Sequence, residues 1–258
     1  MSLLNIINIE MYKISKRSMK NFIFATCILP AFYGISIYFK FSFVQVSSNN
    51  NTLMTCLDFV NIMWCLMFLL GLPFFGFLFL SINNVSSEIE TGQIKLQLLH
   101  ICNRKKLLYA KFLAVAAVFI VYFIAYNLIS ILVFYIFIAN SEIGSKIFFS
   151  LDTATILISM LFYSLEILIF VAGCILLGLY FKPFIVCVSS VAFFLVIQLL
   201  SYIPYLKYIS PSYMVDQKIY LQASNPVLLV FINLLITAIY LITILKRAEK
   251  RFKKMDVS

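Results

Sequence analysis

Charge is scarce in this 258-residue chain. Asp, Glu, Lys and Arg make up 12% of it, against 63% hydrophobic residues; a soluble domain carries about a quarter charged and about half apolar. That scarcity excludes an ordinary water-facing surface, and the mean hydropathy of +1.03 agrees. Histidine occurs once, as His100, and the six cysteines (Cys27, Cys56, Cys65, Cys102, Cys174, Cys187) form no CxxC pair. A metal site or disulfide framework has little to build on, and thiols inside apolar runs behave as small hydrophobes. The seven glycines never fall in the GxxxxGK[ST] spacing that cradles nucleotide phosphates. No ten-residue stretch of alternating polarity is present, which argues against a membrane barrel. No long polar segment is left for a separate soluble domain, and no internal repeat is visible. The expectation is a non-catalytic protein that binds no metal and no cofactor of its own.

What the chain does have is apolar runs. Six stand out: Asn21 to Phe39, Phe59 to Ile82, Phe112 to Ala139, Thr153 to Phe181, Phe184 to Ile203 and Val227 to Leu245. At ~1.5 Å per residue each can cross ~30 Å of hydrocarbon, the longer ones with tilt. The expected fold is an all-α membrane protein, one membrane domain over residues 1–258 with six transmembrane helices.

The net charge of +10 would point to nucleic acid on a soluble surface. Here the basic residues flank apolar spans, so orientation in the bilayer explains them and no nucleic-acid partner is expected. With the N-terminus inside, sixteen bases lie on the cytoplasmic side and only Lys40, Lys146, Lys207 and Lys218 outside. This bias sits in short loops, where the positive-inside rule applies. Both termini are therefore expected in the cytoplasm.

Residues 1–20 lack an A-x-A-like cleavage site after the first span and are not expected to be a secretory signal. Leu3, Ile7, Met11 and Ile14 recur at helical spacing, with Lys13, Lys16, Arg17 and Lys20 at the membrane-proximal end. This pattern predicts an amphipathic helix lying in the interface. Ser42 to Thr55 has the Ser/Asn composition of a flexible connector. Pro204 to Pro226, with three prolines and Tyr205, Tyr208, Tyr213 and Tyr220, reads as an ordered segment at the outer interface.

The loop 83–111 carries the most pattern. Glu88 and Glu90 precede a helix-compatible run, where carboxylates favour a helix start. Leu96 and Leu99 share a face, and Arg104, Lys105 and Lys106 are placed to meet lipid headgroups. A short amphipathic helix here suits docking into a groove on a soluble partner; a solvated loop bearing orientation charges fits the spacing equally well.

On these residues the chain resembles the type-2 ATP-binding-cassette transporter permeases, the membrane subunits of many bacterial exporters. Their first cytoplasmic loop has an acidic pair, a Gly-containing turn, a Leu-Leu step and a basic cluster, matched here by Glu88, Glu90, Gly92, Leu96, Leu99, Arg104 and Lys111. A proline common in that stretch of the family is replaced by His100, Ile101 and Cys102. Ile209-Ser-Pro-Ser-Tyr-Met-Val is similar to the Pro-aromatic end of the family's outer re-entrant hairpin before span six. The resemblance implies that the loop is a coupling helix seated in an ATPase subunit. It implies two such ATPases, which bind ATP and Mg, and a second six-span permease, identical or paralogous. It places the protein in the bacterial plasma membrane.

Glu166 is the only charged residue inside the apolar runs. A charge at the bilayer centre costs ~2.5–3.5 kcal/mol on insertion scales, so it is expected to face the bundle interior, with Tyr163, Ser164 or Gln198 as partners. It marks either the substrate path or an interhelical hydrogen bond. Elsewhere the spans offer Phe, Ile, Leu and Met. Together with the resemblance, this favours export of hydrophobic or amphipathic cargo such as antimicrobial or toxic peptides, in an export or immunity role. A proton-coupled carrier using Glu166 and a non-transporting scaffold or sensor are the alternatives.

Overall fold

The computed structural model describes residues 2–17, 19–39, 53–101, 103–141, 143–149, 152–223 and 225–255. Most of the Ser/Asn-rich connector expected over Ser42 to Thr55 lies outside the described residues, as does Cys102. All regular structure among the described residues is helical, and the one β-type contact is an isolated parallel bridge between Met54 and Gly144.

Four helices are long and apolar enough to cross a membrane. They are α8 with its π-helical continuation (Arg104–Ile138), α9 (Thr153–Gly178), α10 (Pro183–Leu200) and α12 (Pro226–Lys254). A fifth crossing results if α4 (Cys56–Leu69) and the following Leu72–Glu90 count as one broken span, bent by 56°. Leu128, Val188, Leu195, Val227 and Phe231 of these helices stay exposed. Long apolar helices with outward apolar side chains describe a membrane-embedded protein.

The first and second apolar runs differ from uninterrupted spans. The first divides into α2 (Met19–Ala25) and α3 (Leu29–Tyr38) around a 3-10 turn at Thr26–Ile28, leaving an apolar helix over Ile23–Tyr38. The second breaks between α4 and α5 (Leu72–Asn84). Gly71 takes φ 66, a left-handed conformation open to glycine, and Pro73 in the first turn of α5 has no N–H to continue the α4 ladder. Some of the other helices start with side-chain caps. Thr55 and Asp58 form a reciprocal capping box on α4, and Asn103 accepts from the Lys106 amide at 3.1 Å to open α8. Pro183 and Pro226 occupy first-turn positions of α10 and α12, where their missing N–H costs nothing.

Because lipid is as apolar as leucine, helix association rests on close packing and interhelical hydrogen bonds. The core centres on Trp64, ringed by Tyr126 at 5.1 Å, Phe123 at 5.1 Å and Tyr122 at 6.2 Å between ring centroids. Both tyrosine hydroxyls find partners across helices: Tyr126 donates to the Met63 carbonyl at 3.0 Å, and Tyr122 pairs with the Thr26 hydroxyl at 3.1 Å. α1 (Leu3–Lys16) packs on the start of α8 and buries Ile6, Glu10 and Ile14. This strip is rotated from the expected Leu3–Ile7–Met11–Ile14 face, and Leu3 is exposed. The cause is Glu10, whose partners lie in the protein.

Candidate functional site

Several elements meet at one end of the bundle, where the basic residues gather: α1, the start of α8, the end of α12, and two short helices. The short ones are α6 (Ser86–Glu90), continuing from α5, and α7 (Gln93–Ile101). Gly92 separates them with φ 73, and its Cβ position would meet nothing within 4 Å. The glycine is therefore needed for its backbone angle and not for space. This turn corrects the expected single amphipathic helix with an acidic start: Glu88 and Glu90 belong to α6, and α7 begins at Gln93.

Beneath α7 lies a buried ion cluster assembled from four helices. Lys111 Nζ of α8 donates to Glu10 Oε2 of α1 at 3.0 Å and to Glu88 Oε2 of α6 at 2.5 Å. All three residues are 1% exposed. Gln97 of α7 donates to Glu88 Oε2 at 2.7 Å. Arg17 Nη2 reaches Glu88 Oε1 at 2.7 Å, and Lys13 pairs with Glu10 at 3.0 Å. Burial alone would push the Glu88 carboxyl up; the Lys111 charge and hydrogen bond, the Gln97 bond and Lys13 outweigh it and hold Glu88 below its ordinary value of 4.5. One carboxylate thus ties α1, α7 and α8 to α6.

The residues read from the sequence as a docking loop separate into two groups. Glu88 faces inward with its carboxylate occupied, while Glu90 is exposed. Leu96 and Leu99 on α7 are 63% and 74% exposed, and Ile94 is buried beneath them. Arg104, expected among lipid headgroups, instead donates to the Phe252, Lys253 and Met255 carbonyls at 3.3, 3.1 and 2.7 Å. Those carbonyls end α12 without helical partners, so a guanidinium satisfies them and opposes the helix dipole. Lys105, also expected among headgroups, pairs with Glu249 of α12 at 3.5 Å. Glu10 and Gln97 were missed by sequence reasoning. A carboxylate amid the apolar residues Ile6, Ile7, Ile9 and Met11 was the available signal for Glu10; Gln97 gave none.

Glu166 lies near the middle of α9 and is 2% exposed. Its hydrogen-bond partner is Ser212, which donates to Oε1, and not the expected Tyr163, Ser164 or Gln198. Tyr163 pairs with Cys65 at 3.4 Å, and Ser164 bonds back to the Met160 carbonyl at 3.0 Å. Ser212 belongs to the segment between α10 and α12, which runs back along α9. Gln217 donates to Ser159 at 3.2 Å, and the Tyr220 ring stacks on Phe162 at 5.9 Å. Tyr220 in turn donates to the Met214 carbonyl at 2.6 Å and accepts from Asn233 of α12 at 3.0 Å. Beside Glu166 is a cavity of about 490 Å³, walled by α4, α9, α10 and this returning segment. It includes Phe68, Tyr163, Gln198 and Asp216. Among the described residues no group of three or more His, Cys, Asp or Glu side chains is placed to hold a metal ion. No protein-family model matches the chain, and no curated protein matches it.

Proposed function

We propose that this chain is the permease subunit of a type-2 ATP-binding-cassette exporter, powered by separate ATPase subunits. The observation that carries the reading is the mounting of α7. A helix that passes on an ATPase's motion must expose a face to its partner and be fixed to the spans behind it. α7 exposes Leu96 at the surface, while Gln97 and Glu88 tie it to Lys111 in α8 and, through Glu10 and Arg17, to α1. The sequence resemblance in the loop supports the same role.

In this reading the basic end faces the cytoplasm of a bacterial cell, both termini with it, and the segment between α10 and α12 forms the outer re-entrant hairpin. Six crossings result when Ile23–Tyr38 and the bent α4–α5 pair each span; the short first helix is accommodated by local bilayer thinning. Two permeases, identical or paralogous, pair with two ATPases, and hydrophobic or amphipathic peptides are the cargo class.

The test is co-purification of a Walker-motif ATPase with the chain, and stimulation of its ATP turnover. Leu96→Asp and Glu90→Lys, both at exposed positions, are expected to release or uncouple that ATPase while leaving the permease folded. Full transport from vesicles holding only this chain would overturn the reading in favour of a carrier that uses Glu166. A folded complex with no transport under any driving force would favour a scaffold.

A further inference from the structure

The cavity beside Glu166 holds more polar capacity than the protein satisfies. Ser212 bonds to Oε1, while Oε2 accepts no hydrogen bond among the described residues. The Gln198 carboxamide on the same wall likewise has no side-chain partner among them. A second carboxylate, the exposed Asp216, stands on the wall with Oδ1 accepting from the Lys218 amide at 3.0 Å, and no Lys, Arg or His lines the space. Two acids thus share a wall that carries no basic residue, and one of them is nine-tenths buried in a membrane helix, where a carboxylate is costly unless a cation pairs with it. The rest of the wall is aromatic and aliphatic: Phe68 and Tyr163 lie 4.2 Å apart between ring centroids, and Leu69, at the α4–α5 break, is 85% exposed.

We propose that this cavity binds an organic cation, a protonated or quaternary amine on an apolar stem. The inference rests on the permease reading and deepens it by naming the charge class of the cargo group that enters the membrane domain. The amine sits between Glu166 and Asp216, with Gln198 and the Phe68–Tyr163 pair around it; aromatic faces attract a cation through their quadrupoles. The stem leaves past Leu69 toward the lipid. A volume of about 490 Å³ matches one amphiphile or a pair of peptide side chains and excludes a folded peptide, since drug-sized ligands fill ~300–1,000 Å³.

The experiment uses the purified chain in zwitterionic lipid nanodiscs, with no ATPase present. Decyltrimethylammonium, decanol and decanoate are titrated while the emission of Trp64 is followed. Trp64 is the only tryptophan, precedes Cys65 on the cavity wall and packs on Phe68 at 5.9 Å. The ammonium probe is expected to saturate at a concentration at least about tenfold lower than decanol, a modest value for pairing a buried charge, with decanoate weakest. Glu166→Gln should remove the preference over decanol, and Glu166→Asp should restore part of it. Asp216→Asn, at an exposed position, should weaken ammonium binding about threefold and serves if the Glu166 variants do not fold. Equal binding of ammonium and decanol by the unaltered protein would overturn the proposal, as would a preference untouched in Glu166→Gln. Failure here leaves the ATPase partnership standing, because that partnership is read by ATP turnover and this one by binding alone.

Discussion

Replacing Lys111 by methionine gives the sharpest test of the ion cluster. The substitution keeps an unbranched side chain one atom shorter and removes the ammonium that sits 3.0 Å from Glu10 and 2.5 Å from Glu88. Two buried carboxylates then lose the cation between them. Lys13 and Arg17 cannot take its place, since both approach from the partly exposed side. Removing one partner from a buried ion pair costs about 3–5 kcal/mol. For a protein of this size that corresponds to a melting point lower by about 6–20 °C. The assay is thermal unfolding of the purified chain in lipid nanodiscs, followed by Trp64 emission. The triple variant Glu10→Gln, Glu88→Gln, Lys111→Met removes the buried charges together and should recover most of the loss, because apolar or neutral replacements of a whole buried cluster are near-neutral. A single variant melting within about 2 °C of the unaltered protein, where about 6 °C or more is expected, would refute the reasoning. So would a triple variant no more stable than the single one.

Three further outcomes are expected. Glu88 is held below its ordinary value of 4.5 in the folded protein, so its contribution is complete above that value and falls away as the pH drops from there through the folded value; acid titration of stability in Glu88→Gln should show a shallower loss over that window than the unaltered chain. Arg104→Gln should fray the end of α12, seen as faster amide exchange over residues 250–255, by about 1.5–3 kcal/mol of local protection, the range for a hydrogen bond to a charged group. Gly92→Ala should cost about 1 kcal/mol through the backbone angle alone, and a stability unchanged in that variant would remove the argument for a left-handed turn.

The helical class and the approximate limits of the long spans were legible because hydropathy averages over twenty residues and the bilayer sets their length. Local backbone angles are invisible to that average. Gly71 followed by Pro73 was on view in the second apolar run, yet the run stayed uniformly apolar through the bend. The loop between α5 and α8 could be read from its spacing either as a short amphipathic helix or as a solvated loop; the structure has two short helices there, with Leu96 exposed. The inward turn of Glu88 was not, because it depends on Lys111 and on Glu10 from an entirely different helix. Ser212 was equally hidden. A serine in the loop before α12 gives no sign that its chain will turn back along α9 to the level of Glu166.

The cluster around Lys111 also bears on the order in which the chain can be assembled. Glu10 is made 101 residues before the lysine that neutralises it. Until α8 emerges, that carboxylate has only water and Lys13 of its own helix as partners, and the N-terminal helix cannot settle into its final seat. Arg104 likewise waits about 150 residues for the α12 carbonyls it holds. The basic end is therefore closed in two stages, the first when α8 emerges and the second only with the end of α12, and a nascent chain stalled after α5 would carry its first helix without its seat on α8.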